Sequence, residues 1–130
     1  MADDSSQLRV LVVDDEKLMR DAIKVMLQGL EANVVGEADN GKKAIVAFDK
    51  HNPDITFLDI SMPVKNGVDA LREILAKDPS AVVIMLTAHS DISVAESCIH
   101  LGARDYISKG VPTDVLMTTL KAQLDSLTAS

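Results

Sequence analysis

Five residues with useful chemistry close apolar runs in this chain: Asp14 and Asp15 follow RVLVV, Asp59 follows DITFL, Thr87 follows AVVIML and Lys109 follows RDYIS. A carboxylate at the mouth of an apolar run is costly to desolvate unless a cation, a donor or a reaction uses it. If these residues share one rim, crowding decides what the rim can be, because two carboxylates about 4 Å apart repel by roughly 4 kcal/mol at an effective dielectric of about 20. Glu16 adds a further acid, and Lys109 alone does not neutralise them. A hard divalent cation with oxygen ligands does, and an incompletely caged site that keeps waters suits Mg²⁺ better than calcium. A metal beside a carboxylate, a hydroxyl and a lysine is the equipment for phosphoryl transfer onto the carboxylate. The cation and Lys109 offset charge on the transferring group, Asp59 attacks, and Thr87 donates its hydroxyl to a phosphoryl oxygen.

For these groups to meet, the elements that carry them must converge. Short runs rich in β-branched residues alternate with longer amphipathic ones, the pattern of a parallel sheet with crossover helices. The expected strands are 9–13, 33–38, 54–58, 81–86 and 104–108. Between them, helical spacing relates Leu18, Ala22, Ile23, Met26, Leu27 and Leu30, then Ala44, Ile45, Ala47 and Phe48. The same spacing relates Val68, Leu71, Ile74 and Leu75, then Ile92, Ala95, Cys98 and Ile99, and finally Leu116, Leu120 and Leu124. Asn52–Pro53, Asp78–Pro79 and Gly102 read as helix stops, and Pro112 as the start of the fifth helix. The first, third and fourth runs are almost continuously apolar, so they belong at the centre of the sheet, with the second and fifth at the edges. Right-handed crossovers then favour a doubly wound, flavodoxin-like α/β sheet of order 2-1-3-4-5 with helices on both faces. In such sheets ligands bind beyond the carboxyl ends of the strands where the order reverses, which is the rim that carries the five residues.

Composition narrows the function classes. The 130 residues, 47% hydrophobic, suffice for one domain with a core, expected over 8–127 with loose ends at 1–7 and 128–130. A formal net charge of −7 without a basic run argues against direct nucleic-acid binding. A single cysteine, Cys98, excludes an internal disulfide, and its place on an apolar helix face makes it core. The polar, acidic start and the lack of a spanning apolar run point to a cytoplasmic protein with no membrane contact. The three histidines form no zinc pattern and read as surface or packing residues.

Taken together, VLVVDDE, LDISMPVKNG, MLTA and DYISK resemble the receiver domain of two-component response regulators, the CheY-like family, over most of the chain. The resemblance implies that Asp59 is the phosphoacceptor and that Asp14 and Asp15 hold Mg²⁺, Asp15 directly and Asp14 mostly through water. It implies the backbone carbonyl of Ser61 as a third protein ligand, and Thr87 and Lys109 as contacts of the phosphoryl group. It further implies that Tyr106 turns inward when Thr87 moves. The donor would be a phosphohistidine on a sensor histidine kinase or a histidine phosphotransfer protein. The output would be a downstream effector or output domain, met through the 91–124 face where Val94 lies off the core stripe. Such a chain is a signalling switch rather than a turnover enzyme. Ser61 and His89, two positions past Asp59 and Thr87, are placed to set the lifetime of the acyl phosphate. Met62 and Pro63 would shape the turn, and Gly67 would give it backbone freedom. Gly110 stands where many relatives have proline after the lysine, so a trans bond and a looser loop are expected there.

Three other readings compete. An aspartate-nucleophile phosphatase wants a second Asp two residues after the first, where this chain has Ser61. A flavodoxin wants aromatics around its ring, and aromatics are 2% here. A receiver-like interaction module that works without phosphorylation would have no use for Asp59, Thr87 and Lys109 together. Singly, each of the five residues fits an ordinary cap, turn or solvated charge. Convergence on one rim is what favours the chemistry.

Overall fold

A computed structural model describes residues 7–128. The five apolar runs form parallel strands β1 (Arg9–Val13), β2 (Asn33–Ala38), β3 (Ile55–Asp59), β4 (Val83–Thr87) and β5 (Asp105–Ser108). Five helices alternate with them: α1 (Lys17–Gly29), α2 (Gly41–His51), α3 (Gly67–Lys77), α4 (Ile92–Leu101) and α5 (Thr113–Thr128). The sheet order is β2-β1-β3-β4-β5, as expected from the apolar content of the strands. Every residue of β3 and β4 is buried, whereas the edge strands β2 and β5 carry exposed positions.

Alternation along the strands divides the core into two layers. Leu11, Val13, Leu58 and Met85 face α2, α3 and α4, where they meet Phe48, Leu71, Ile74 and Cys98. Val10, Val12, Phe57, Ile84 and Leu86 face α1 and α5, where they meet Ile23, Leu27, Leu116 and Leu120. Cys98 is core, as its helical position requires. Asn52 takes the left-handed conformation at the end of α2, and Gly102 ends α4 with a positive φ of 123°.

Several expected boundaries move. Asp59 and Thr87 are the last residues of their strands rather than the first residues of loops, because the ladder continues through them: Asp59 pairs with Leu86 and Thr87 with Ser108. Pro112 precedes α5 instead of opening it, and its carbonyl accepts from the Leu116 amide at 2.9 Å. Leu18 is 86% exposed, not part of the core stripe. It lies one heptad before the exposed Val25, so the two share an outward face, while Met19, Ile23, Met26 and Leu27 face the sheet. Thr128, expected in a tail, closes α5; the remaining tail residues 1–6 and 129–130 lie outside the described residues.

Gly67 has a different reason to be glycine from the one expected. Its φ is not positive; instead, a Cβ at this position would come within 2.0 Å of the Asp59 carbonyl oxygen. The Gly67 amide donates to the Ile60 carbonyl at 2.7 Å, drawing the start of α3 against the end of β3. Gly67→Ala is therefore expected to force backbone apart and cost about 2 kcal/mol or more of stability in urea unfolding. A loss within the scatter of ordinary surface substitutions would contradict this packing.

Candidate functional site

The site is assembled by strand ends. Asp14 is held past β1 by its amide, which donates to the Ala38 carbonyl at 3.1 Å, and by its Oδ1, which accepts from the Glu16 amide at 2.9 Å. The Asp14 carbonyl accepts from Arg20 Nη1 at 2.8 Å, and Arg20 Nε also pairs with Glu37 at 2.7 Å, locking the corner between β1 and α1. Asp59 closes β3, with the next residue, Ile60, donating to Leu86 at 3.2 Å. Lys109 extends β5 by one step, its amide donating to the Thr87 carbonyl at 2.9 Å.

These placements bring the predicted groups together. Lys109 Nζ lies 3.0 Å from Asp59 Oδ1, 3.1 Å from Asp14 Oδ2 and 3.7 Å from Glu16 Oε1. Asp14, Asp15 and Asp59 each offer a carboxylate oxygen within 4.8 Å of the others. Asp14 and Asp59 are buried and Asp15 is exposed, so the cluster opens to solvent on one side. Among the described residues, Asp59 Oδ2 is buried with no hydrogen-bond partner. Three hard oxygen donors, an orphaned one among them, fit a small divalent cation.

The electrostatics follow from this crowding. Burial, then the charge of Asp14, pushes the Asp59 carboxyl up to about 7 despite the opposing pull of Lys109. Burial works to lower Lys109, but the charge and hydrogen bond of Asp59, then those of Asp14, outweigh it and hold the ammonium above its ordinary value. Lys109 therefore stays charged across the physiological range.

The other predicted residues make contacts of their own. Thr87 is buried, and its hydroxyl donates to the neighbouring Ala88 carbonyl at 2.9 Å. Tyr106 is half-buried beside the core layer of α2, α3 and α4 and pairs with Met85 on β4. Ser61 is exposed, and its hydroxyl donates to Asp91 Oδ2 at 3.0 Å, joining the loop after β3 to the loop after β4. His89 opens a short 3-10 turn, His89–Asp91, and is exposed without a hydrogen bond among the described residues. No described peptide bond is cis, as expected at Lys109–Gly110. Sequence reasoning missed Asp91, which meets Ser61 across 30 positions, and Arg20, which meets Asp14 across 6 and Glu37 across 17; no apolar spacing announces either.

An open five-stranded parallel sheet with an acidic, lysine-bridged pocket at its switch point defines the class structurally. The family model described as the response regulator receiver domain matches residues 10–121. The chemotaxis protein CheY of Listeria monocytogenes is 41% identical over 114 residues, covering 88% of this chain and 96% of that protein. The response regulator domain of Thermotoga maritima CheB superposes with a TM-score of 0.85 at 28% identity, covering 95% of this chain and 98% of that one. CheY in a CheX–CheY–BeF3–Mg²⁺ complex from Borrelia burgdorferi has a TM-score of 0.82 at 27% identity, over 89% of this chain and 88% of that chain. The chain belongs to the CheY-like receiver domains of two-component response regulators. Among the described residues no helix is long and apolar enough to cross a membrane.

The raised Asp59 carboxyl links the site to stability. A group whose folded value lies above its unfolded one stabilises fully below the unfolded value, here about 3.8, and loses that contribution as pH rises through about 7. In metal-free buffer Asp59→Asn is expected to melt above the parent by about 3 °C or more at about pH 8. The difference should shrink towards about pH 4, where Asp59 is protonated in the folded parent. Differential scanning calorimetry across that range checks it, and equal melting at high pH would remove the strain assigned to the cluster.

Proposed function

We propose that this chain is a phosphorylation-controlled switch that receives a phosphoryl group on Asp59 from a histidine kinase or histidine phosphotransfer protein. The observation that carries the reading is the state of the Asp59 carboxylate: one oxygen on Lys109, the other buried and without a partner among the described residues, beside two further acids. An oxygen already satisfied by several donors would be a poor nucleophile. Asp14, Asp15, Asp59 and the Ser61 carbonyl would hold Mg²⁺, with Asp14 mostly through water. When bound, the ion offsets the crowded carboxylates and charge on the transferring group, favouring ionised Asp59.

Asp59 then forms an oxygen–phosphorus bond as the donor's nitrogen–phosphorus bond breaks, and the leaving imidazole takes up a proton. Lys109 keeps its ammonium against the new oxyanion. Thr87 exchanges its hydroxyl bond to the Ala88 carbonyl for one to a phosphoryl oxygen. A neutral bond is worth about 1 kcal/mol net and a charge-assisted one roughly twice that, so the exchange biases the loop after β4 towards the site. Tyr106 would follow into the space Thr87 vacates. A population shift of this kind would be read by an effector on the 91–124 face, where Val94, Leu101 and Val115 are exposed. A cytoplasmic location fits this partnership.

Intact-mass measurement after incubation with acetyl phosphate tests the reading. One phosphoryl adduct is expected with Mg²⁺, none without it and none in Asp59→Asn. No adduct from acetyl phosphate or from a phosphohistidine donor would transfer the assignment to an interaction module that works without phosphorylation.

The lifetime of the adduct is open to the same assay. Ser61 and His89 follow Asp59 and Thr87 by two positions each, and Ser61 is tethered to Asp91. Replacing both with alanine is expected to change the hydrolysis half-life several-fold, and an unchanged half-life would remove them from control of water access.

A further inference from the structure

The outer face of α2 is unlike the rest of this acidic chain. Lys42, Val46 and Lys50 follow one another at successive helical turns, with Lys43 alongside. Val46 is 63% exposed, and across from it Val64, on the loop between β3 and α3, is 79% exposed. Between them lies an open groove of about 560 Å³ lined by Lys42, Lys43, Val46, Lys50, His51 and Val64. Lys43 pairs with Asp39 at 3.3 Å, but among the described residues Lys42 and Lys50 have no carboxylate partner.

Val64 marks the groove as more than incidental. Its φ of 69° puts a β-branched residue in the left-handed region, which L side chains adopt at a steric cost. Two backbone bonds enforce it: the Lys65 amide donates to the Pro63 carbonyl at 2.7 Å, and the Gly41 amide to the Lys65 carbonyl at 2.8 Å. A Cβ on Gly41 would sit 2.3 Å from that same carbonyl oxygen. The loop is thus clamped onto the start of α2 with an apolar side chain left in solvent, and strain held in place is commonest at functional surfaces.

We infer that this groove docks an acidic amphipathic helical segment of a partner protein. The apolar side chain of that segment fits between Val46 and Val64, and its carboxylates meet Lys42 and Lys50. The two lysines are eight positions apart, so the carboxylates should stand about 12 Å apart. A two-fold contact with a second copy would set lysine against lysine, and a net charge of −7 disfavours a polyanion without apolar groups. The groove is separate from the 91–124 face, and its occupation does not depend on phosphorylation of Asp59.

The test is an NMR titration of the full chain with a short helical peptide carrying Glu, Leu and Glu one turn apart. Two control peptides replace Glu by Lys or Leu by Ser. Saturable shifts are expected at residues 42–50 and at Val64, with a dissociation constant tighter than about 1 mM. Affinity should fall at least about tenfold in Lys42→Glu/Lys50→Glu and in Val46→Ser, all at exposed positions where circular dichroism should match the parent. Absence of saturable shifts, shifts confined to residues 91–124, or undiminished binding in the variants would overturn the inference. Equal binding of the Leu-to-Ser control would reassign the face to generic anion attraction. Self-association abolished by Val46→Ser would reassign it to a second copy.

Discussion

Keeping Asp14 and Asp59 beside Lys109 in a nearly dry pocket is the constraint on which the remainder of this structure rests. Each acid would be costly to bury alone, and together they repel; one ammonium within about 3 Å of both makes the arrangement tolerable. No single element could supply all three. They come from the ends of β1, β3 and β5, and a parallel sheet is what holds those ends at one height. The sheet's hydrogen bonds run one step beyond the strands at Asp14, Ile60 and Lys109, so each loop departs from a determined point.

The balance left in the pocket is incomplete. Among the described residues, one Asp59 oxygen is left without a donor, and its raised carboxyl records the strain. A pocket whose only purpose was stability would have satisfied that oxygen or replaced the acid. Two side-chain bonds in the loops around it are exchangeable: Thr87 to Ala88 and Ser61 to Asp91. Each is worth about 1 kcal/mol, so a new charged group in the pocket could redistribute them without disturbing the two core layers.

Backbone contact carries the pocket's position outward. Gly67 lets α3 press on the Asp59 carbonyl, and Gly41 lets α2 press on Lys65, five residues from the start of the same loop at Ile60. At both contacts a Cβ would collide with backbone rather than with a movable side chain. The loop between β3 and α3 is therefore a rigid strap between the acidic pocket and the lysine-bearing face of α2. The exposed Val64 is where that strap shows at the surface.

Periodicity in the chain was enough to specify five strands, five helices, central against edge strands and the order of the sheet. These follow from which residues avoid water, and short apolar runs together with a repeat of about three and a half residues encode that locally. The five chemical residues were legible for the same reason, since each ends an apolar run. Folding alone decided how they meet: the ammonium of Lys109 reaches Asp14 across 95 positions and Asp59 across 50. Leu18 misled because its spacing fits one stripe and its angle another, and only packing against the sheet separates them. The Ser61–Asp91 bond, the steric need for Gly67 and the corner closed by Arg20 belong to the same class. They are contacts set by how loops and strand ends turn back on one another, and a pattern of apolar repeats carries no trace of them.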